Sequence, residues 1–311
     1  MRSRTLKNLG LGHLLALFCI VVWGVTFVST KVLLEYLTPA QILFTRFLLG
    51  YMALWLMYPR LSPKYGRKVE FLFALAGFLG TFVYFFMENV ALQYSTASNV
   101  GVLICLSPFF TGVLSKIENP SSELSKKFFV GVTISFIGVF LIMLGGTEEL
   151  TFNPLGDPLA VGAGFVWACY SITLKKLSVY EIPILLSTRT IFGYGLIFIF
   201  LGLLLLQEPI ALETFKHVEV WSNLAFLGFI ASAACYAMWT GAVEKIGASS
   251  ATIYVYLIPV ICLICAYIVL DEKLTMWSGT GTLLVLCGLV ISQLDFSSAK
   301  EKLFGDVKPK Y

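Results

Sequence analysis

Residues 23–50 read WGVTFVSTKVLLEYLTPAQILFTRFLLG, and residues 167–193 read WACYSITLKKLSVYEIPILLSTRTIFG. The landmarks of the first stretch return in order in the second. Trp23, Lys31 and Pro39 reappear as Trp167, Lys175 and Pro183, each 144 positions on, and Arg46 and Gly50 reappear as Arg189 and Gly193, 143 on. The correspondence continues outward from there. Ala97, Ser98 and Pro108 match Ala248, Ser249 and Pro259 at a spacing of 151, and Gly131 and Gly138 match Gly281 and Gly288 at 150. The chain is one unit written twice, with small insertions between landmarks.

Each copy is built for lipid. Of 311 residues, 58% are hydrophobic and 13% charged, and the mean hydropathy is +0.86. Soluble globular chains carry about 25% charged residues. The apolar residues form ten blocks, approximately 13–34, 40–58, 69–93, 97–116, 127–145, 158–177, 183–206, 219–243, 248–270 and 275–294. Runs of about 20 residues span a ~30 Å hydrocarbon core, and a helix pairs its backbone groups within the segment. The expected fold class is an all-α integral membrane protein of ten transmembrane helices. The first block begins near Leu14 and further spans follow at once, so it is read as a membrane helix and not as a cleaved signal peptide.

The basic residues give the direction. Seventeen Lys and Arg fall on one side, from Arg2, Arg4 and Lys7 at the start to Lys300, Lys302, Lys308 and Lys310 at the end, while the other side's loops hold only Lys216 and Lys273. Such a bias places both termini in the cytoplasm. The acidic segment Glu148 to Asp157 then lies outside and divides the chain into residues 1–146 and 147–311. An odd count of five helices per copy turns the second copy upside down, an arrangement common among transporters. The net charge of +4 sits in short loops, which is topology and not a nucleic-acid-binding face. The lysine-rich tail after Asp295 is expected near anionic lipid headgroups. The absence of N-x-Ser/Thr sequons fits a bacterial inner membrane.

Several chemistries lack their residues. The seven cysteines lie mainly in apolar blocks; Cys262 and Cys265 have CxxC spacing but no second ligand pair, so they read as packing residues. His13 and His217 fall near span ends. No Walker loop and no HExxH motif is present. No catalytic residue, metal or cofactor is expected, and the chain is read as not an enzyme.

Trp23-Gly24 with Thr26-Phe27, Arg46-Phe47, Ala97-Ser98-Asn99 before Pro108, Ala248-Ser249-Ser250 before Pro259, and Glu272 before Gly281 and Gly288 form an ordered set. In that order and duplication the chain resembles the drug/metabolite transporter superfamily, in its ten-helix EamA-like family, over about residues 13–294. It departs at Glu118 to Lys127, a longer polar loop than the turn at Asp271-Glu272-Lys273, and at Trp167-Ala168 in place of Trp-Gly. The resemblance implies a central pocket open alternately to each side, taking small organic solutes, often amino acids and related metabolites, frequently outward. The expectation is a secondary transporter, exporter or facilitator, whose partners are a small-molecule substrate and membrane lipid. Substrate, direction, proton coupling and oligomeric state stay open. A passive channel and a membrane-embedded enzyme are the alternatives; a channel would favour a continuous polar pore, and polar residues here are sparse.

Glu88 stands out within the spans. It lies about six residues from the exterior end of the third, roughly 9 Å deep by helical rise, where a charge costs roughly 2.5–3.5 kcal/mol. Arg46 enters the second span from the same side at similar depth, and the two are placed to pair. The second copy keeps Arg189 at the Arg46 position but has Trp239 at the Glu88 position. Glu88 is therefore read in two ways, as a group that binds an ammonium or carries a proton, or as a structural counter-ion to Arg46. Arg46 and Arg189 are read as clamps for a substrate carboxylate or as snorkelling residues, and Lys31 and Lys175 as anchors at span ends. Pro108 and Pro259 each remove a mid-span backbone donor and predict a kink or hinge. Trp23, Tyr84, Phe85, Tyr170, Tyr236 and Trp239 lie on spans whose family counterparts line the cavity. Gly131, Gly138, Gly281, Gly288 and Ser135 form small-residue ridges suited to close helix packing within the bundle, with a dimer interface as the alternative.

Overall fold

The computed structural model describes residues 2–118, 126–144, 153–206, 212–246, 253–271 and 274–293. The linker as far as residue 152, the Ala248-Ser249-Ser250 motif, Glu272 and the tail after Asp295 lie outside the described residues. Every regular element among the described residues is helical. The longer ones are, in chain order, α1 (Arg2–Leu33), α2 (Pro39–Met57), α3 (Arg67–Tyr94), α4 (Ala97–Glu118), α5 (Lys126–Leu144) and α6 (Gly156–Ser178), followed by α7 (Ile184–Leu206), α8 (Val218–Ile246, its apolar span Val218–Trp239), α9 (Ile258–Leu270) and α10 (Met276–Gln293). Seven of them, α1 to α4 and α6 to α8, are long and apolar enough to cross a membrane. The other three carry shorter apolar stretches, Phe129–Leu141, Tyr254–Leu270 and Met276–Gly288.

Local chemistry sets the ends. At the start of α2, the Gln41 amide donates to the Thr38 hydroxyl at 3.3 Å and the Thr38 amide donates to the Gln41 side chain at 3.1 Å, with Pro39 in the first turn. This reciprocal cap satisfies two amides that helix geometry leaves unpaired. Thr96 caps α4 in the same way, accepting from the Asn99 amide at 3.1 Å.

Two helices are broken, each just before a proline. Pro108 has no N–H for the Ile104 carbonyl and its ring crowds that carbonyl. The fourth helix accordingly splits into Ala97–Ile104 and Ser107–Glu118. The turn between them closes with tight bonds, Cys105 amide to Val102 carbonyl and Leu106 amide to Leu103 carbonyl, both 3.1 Å. Likewise the segment before Pro259 is a 3-10 turn, Ile253–Leu257, and α9 proper begins at Ile258. The carbonyl that Pro259 leaves without its usual donor belongs to Val255, and the Cys105 thiol donates to it at 3.8 Å. The two breaks touch.

A second pair of irregularities lies in α3 and α8. Each contains a π-helical stretch, Gly77–Val83 and Phe226–Ala234. Both are seated by glycine against a helix of the other half. A Cβ on Gly77 would fall 2.7 Å from the Ile191 carbonyl on α7, and one on Gly228 would fall 2.6 Å from Leu49 and 3.1 Å from the Arg46 carbonyl on α2. Packing between the halves follows one scheme. α2 lies on α7, α4 on α9 and α5 on α10; α1 packs on α8 and α9, and its counterpart α6 packs on α3 and α4.

The α5–α10 contact is the closest. Gly288 faces the Gly131 carbonyl and Ser135, a Cβ on Gly138 would sit 2.6 Å from the Gly281 carbonyl, and the Ser135 hydroxyl donates to the Val285 carbonyl at 3.3 Å. The Gly–Ser ridge thus packs inside the bundle. A Gly288→Val variant should therefore lose about 1–3 kcal/mol to overpacking, seen as a lower unfolding temperature in detergent. An unchanged midpoint would contradict this packing.

Candidate functional site

The proline breaks face a cavity of about 70 Å³ between α1, α2, α3, α4, α6, α8 and the start of α9. Its floor at the breaks is Ile104, Cys105, Ser107, Val255 and Ile258. Its walls are largely aromatic: Trp23 and Phe27 from α1, Tyr84 and Phe85 from α3, Trp167 from α6 and Tyr236 from α8, with Thr26 beside them. The rings pack on one another. Tyr84 and Trp167 have centroids 4.8 Å apart, Trp23 and Tyr236 6.0 Å, and the Trp23 indole N–H donates to the Ala231 carbonyl at 3.1 Å. Such walls suit the apolar portion of an organic solute.

Arg46 and Glu88 are the charged groups in this lining, 2% and 1% exposed. The Arg46 Nε donates to the Ser232 hydroxyl at 2.9 Å, and its guanidinium carbon lies 4.3 Å from the Phe85 ring centroid and 5.5 Å from that of Phe47. Its Nη1 is buried without a hydrogen-bond partner, and so is Oε1 of Glu88. The direct ion pair expected between them is not formed. The guanidinium is turned instead to Ser232 and the Phe85 face, which holds it on the α8 and α3 walls. Buried polar groups ordinarily have partners, and two opposite charges left open in one cavity form a recognition surface for a solute that carries both signs.

Five of the expected site residues, Glu88, Arg46, Trp23, Tyr84 and Tyr236, line this cavity, and three do not. Tyr170 stands behind the wall, 5.1 Å from Trp167 and packed on Gly80; Trp239 stands behind Trp23, also at 5.1 Å. Arg189 is elsewhere. Its Nη1 donates to the Tyr58 carbonyl at 2.6 Å, its Nη2 to the Arg60 carbonyl, and its guanidinium lies 4.8 Å from the Trp55 ring centroid. It closes the C-terminal end of α2, where carbonyls lack intrahelical donors. Arg189→Gln should accordingly destabilise the protein by about 1–3 kcal/mol for the lost charged hydrogen bonds, seen as a lower unfolding temperature, and leave the KM of transport at its wild-type value. A raised KM with unchanged stability would move Arg189 into the binding machinery.

Other lining residues carried weaker signals. Trp167 is the repeat partner of Trp23, and Cys105, Ser107 and Val255 lie within four positions before a proline. A proline that frees a carbonyl opens the helix at that point, so the residues before it are where a cavity can form.

Beyond the cavity, Lys31 is no lipid-facing anchor. Its Nζ donates to the Leu92 carbonyl at 2.5 Å and the Ser95 carbonyl at 2.6 Å, at the C-terminal end of α3. The Ser95 hydroxyl donates in turn to Asp157 Oδ1 at 2.5 Å, at the start of α6. The repeat partner Lys175 lies on the surface with Lys176, 3.7 and 3.4 Å from Glu118.

An all-helical bundle with many membrane-length apolar helices and a central cavity holding opposite charges among aromatic walls defines a class: multi-pass membrane proteins that handle small molecules. The chain belongs to the EamA-like transporter family, which matches it at residues 10–144 and again at 154–293. It is 30% identical to a transporter of Archaeoglobus fulgidus over 90% of this chain and 96% of that protein. It is 26% identical to the Bacillus subtilis transporter YyaM over 92% and 94%. A Salmonella typhimurium protein named a probable amino-acid metabolite efflux pump is 27% identical over 91% and 94%. A solved crystal structure shares the fold, with a TM-score of 0.65 and 18% identity over 91% of this chain and 98% of that one. As a member of that family, the chain is a transporter and not an enzyme.

Proposed function

We propose that the protein is a secondary transporter of amino acids and related small zwitterions, working by alternating access across the bacterial inner membrane. The observation that carries this reading is the pair of oppositely charged side chains lining one cavity, each with a buried polar atom left without a hydrogen-bond partner, Nη1 of Arg46 and Oε1 of Glu88. Arg46 receives the substrate carboxylate, Glu88 its ammonium, and the rings of Trp23, Tyr84 and Tyr236 its side chain. At about 70 Å³ the cavity has room for only a few waters, so loading a solute requires the surrounding helices to part.

The architecture behind this reading is ten spans in two inverted five-helix repeats, residues 1–146 and 147–311, with both termini cytoplasmic. The 17-to-2 division of basic residues supports the orientation. The pairing of α1 with α8 and α9, mirrored by α6 with α3 and α4, supports the repeat. The relative named an amino-acid metabolite efflux pump supports both the substrate class and the outward direction. Glu88 also serves as the proton carrier where transport is coupled to a pH gradient.

Counterflow in proteoliposomes tests the reading. Vesicles preloaded with one unlabelled amino acid from a panel should take up its radiolabelled form transiently and saturably. A flux linear in concentration would indicate a channel, and no flux across the panel, with and without a pH gradient, would remove amino acids as substrates.

A further inference from the structure

From the structure we infer that the route between the cavity and the exterior runs along the facing sides of α1 and α3, and that Lys31 is the residue that closes it. The cavity reaches Thr26 on α1 and Glu88 on α3. One helical turn further on the same faces are Thr30 and Leu92, and one more turn along α1 is Leu34. Leu34 and Leu92, with Lys31, Glu35, Gln93 and Tyr94, line a second hollow of about 400 Å³ that is open at the surface. Cavity and vestibule are therefore collinear, separated by about one turn of α1 and α3.

The separating layer has the marks of a closed passage. Thr30 is fully buried and its hydroxyl lacks a hydrogen-bond partner. So does Oε1 of Glu88, on the α3 side. These groups have no role in packing an apolar core, where an unpaired polar atom is costly; they suit a surface that is wetted when the helices separate. Across this layer the Lys31 ammonium is bonded to the Leu92 and Ser95 carbonyls. Those carbonyls are at the end of α3, where no helical amide follows to bond them and where a cation is favoured. Lys31 thus ties α1 to the end of α3, and the Ser95 hydroxyl ties that end to Asp157 at the start of α6. The bonds are charged and strong enough to hold the end shut, but they are made to backbone oxygens at helix ends, which water can take over when α1 swings away. The repeat partner of Lys31, Lys175, lies instead on the surface beside Glu118.

The inference rests on the orientation proposed above, and its test does not depend on any substrate. Cys105 lines the cavity and is 1% exposed, so it reports access from within. A membrane-impermeant methanethiosulfonate reagent is applied to the outside of right-side-out vesicles, and modification of Cys105 is followed by peptide mass mapping. Lys31→Gln should be modified at least about tenfold faster than wild type, because each charged hydrogen bond lost is worth about that factor or more. Lys31→Arg, which keeps donors for both carbonyls, should be modified at close to the wild-type rate. Leu34→Trp leaves the latch intact and fills the vestibule, so it should slow modification below wild type, and it answers the question even where the glutamine variant is poorly folded. Equal rates for Lys31→Gln and wild type, an unaffected rate in Leu34→Trp, or acceleration only when reagent is applied from the cytoplasmic side would each overturn the inference. Loss of amino-acid counterflow with the expected labelling pattern would instead strike the substrate assignment and leave the route standing.

Discussion

Replacing Glu88 with glutamine is expected to slow amino-acid counterflow by about tenfold to a hundredfold, while the protein reaches the membrane in wild-type amount. The exchange keeps the size of the side chain and a hydrogen-bonding amide beside Tyr84, so the cavity keeps its shape. What disappears is the negative charge opposite Arg46. A hydrogen bond to a charged group is worth about 1.5–3 kcal/mol, and about 1.4 kcal/mol is a factor of ten, which sets the range. Folding should not suffer. Oε1 is buried without a partner, and a neutral amide there costs less than a carboxylate. The thermal midpoint in detergent is therefore expected at or above the wild-type value. Initial rates of counterflow and the melting curve decide the matter together. Wild-type flux across the panel would show that the carboxylate takes no part in recognition or coupling.

Arg46→Gln should damage both transport and stability. The variant loses the bond to Ser232 and the contact with the Phe85 face, and it leaves Glu88 as a buried charge with no opposite charge in the cavity. Stranding one member of a buried pair costs about 3–5 kcal/mol when the two are in contact. Here they share a cavity without touching, so the loss should fall below that figure. The double variant Arg46→Gln/Glu88→Gln removes the stranded charge. It should unfold at a higher temperature than Arg46→Gln alone, although it stays inactive. Identical midpoints for the single and double variants would mean that the two charges do not act on each other through the cavity.

The sequence announces some of these features and is silent on others. Hydropathy marks the helices because a span must be apolar along about 20 residues. Proline marks the breaks in the fourth and ninth helices because its missing donor acts wherever it falls in a helix. Glu88 and Arg46 are visible because charge inside an apolar run has few uses. Placement of Arg189 is not readable in this way. It shares the repeat position of Arg46, yet its guanidinium meets the Tyr58 and Arg60 carbonyls, and carbonyls at a helix end have no signature in the side-chain sequence. The same holds for Lys31, whose partners are again main-chain oxygens. The π-helical stretches at Gly77–Val83 and Phe226–Ala234 leave only a faint trace, since they depend on which helix packs against Gly77 and Gly228. Tyr170 and Trp239 are aromatic like their neighbours, and only packing decides which ring faces the cavity and which stands behind it.

The opposite charges in the cavity bear on what can power the carrier. With both groups ionised, Arg46 and Glu88 sum to zero, and a zwitterion between them adds nothing. Neither the empty nor the loaded cavity then carries net charge across the membrane, so the electrical potential does no work on either, and flux follows the concentration gradient. A proton on Glu88 changes this, because the cavity then holds a net positive charge. An inside-negative potential pulls that form toward the cytoplasmic face with up to about 2.3 kcal/mol per 100 mV. Under the proposed mechanism, one carboxylate thus determines whether transport senses voltage at all.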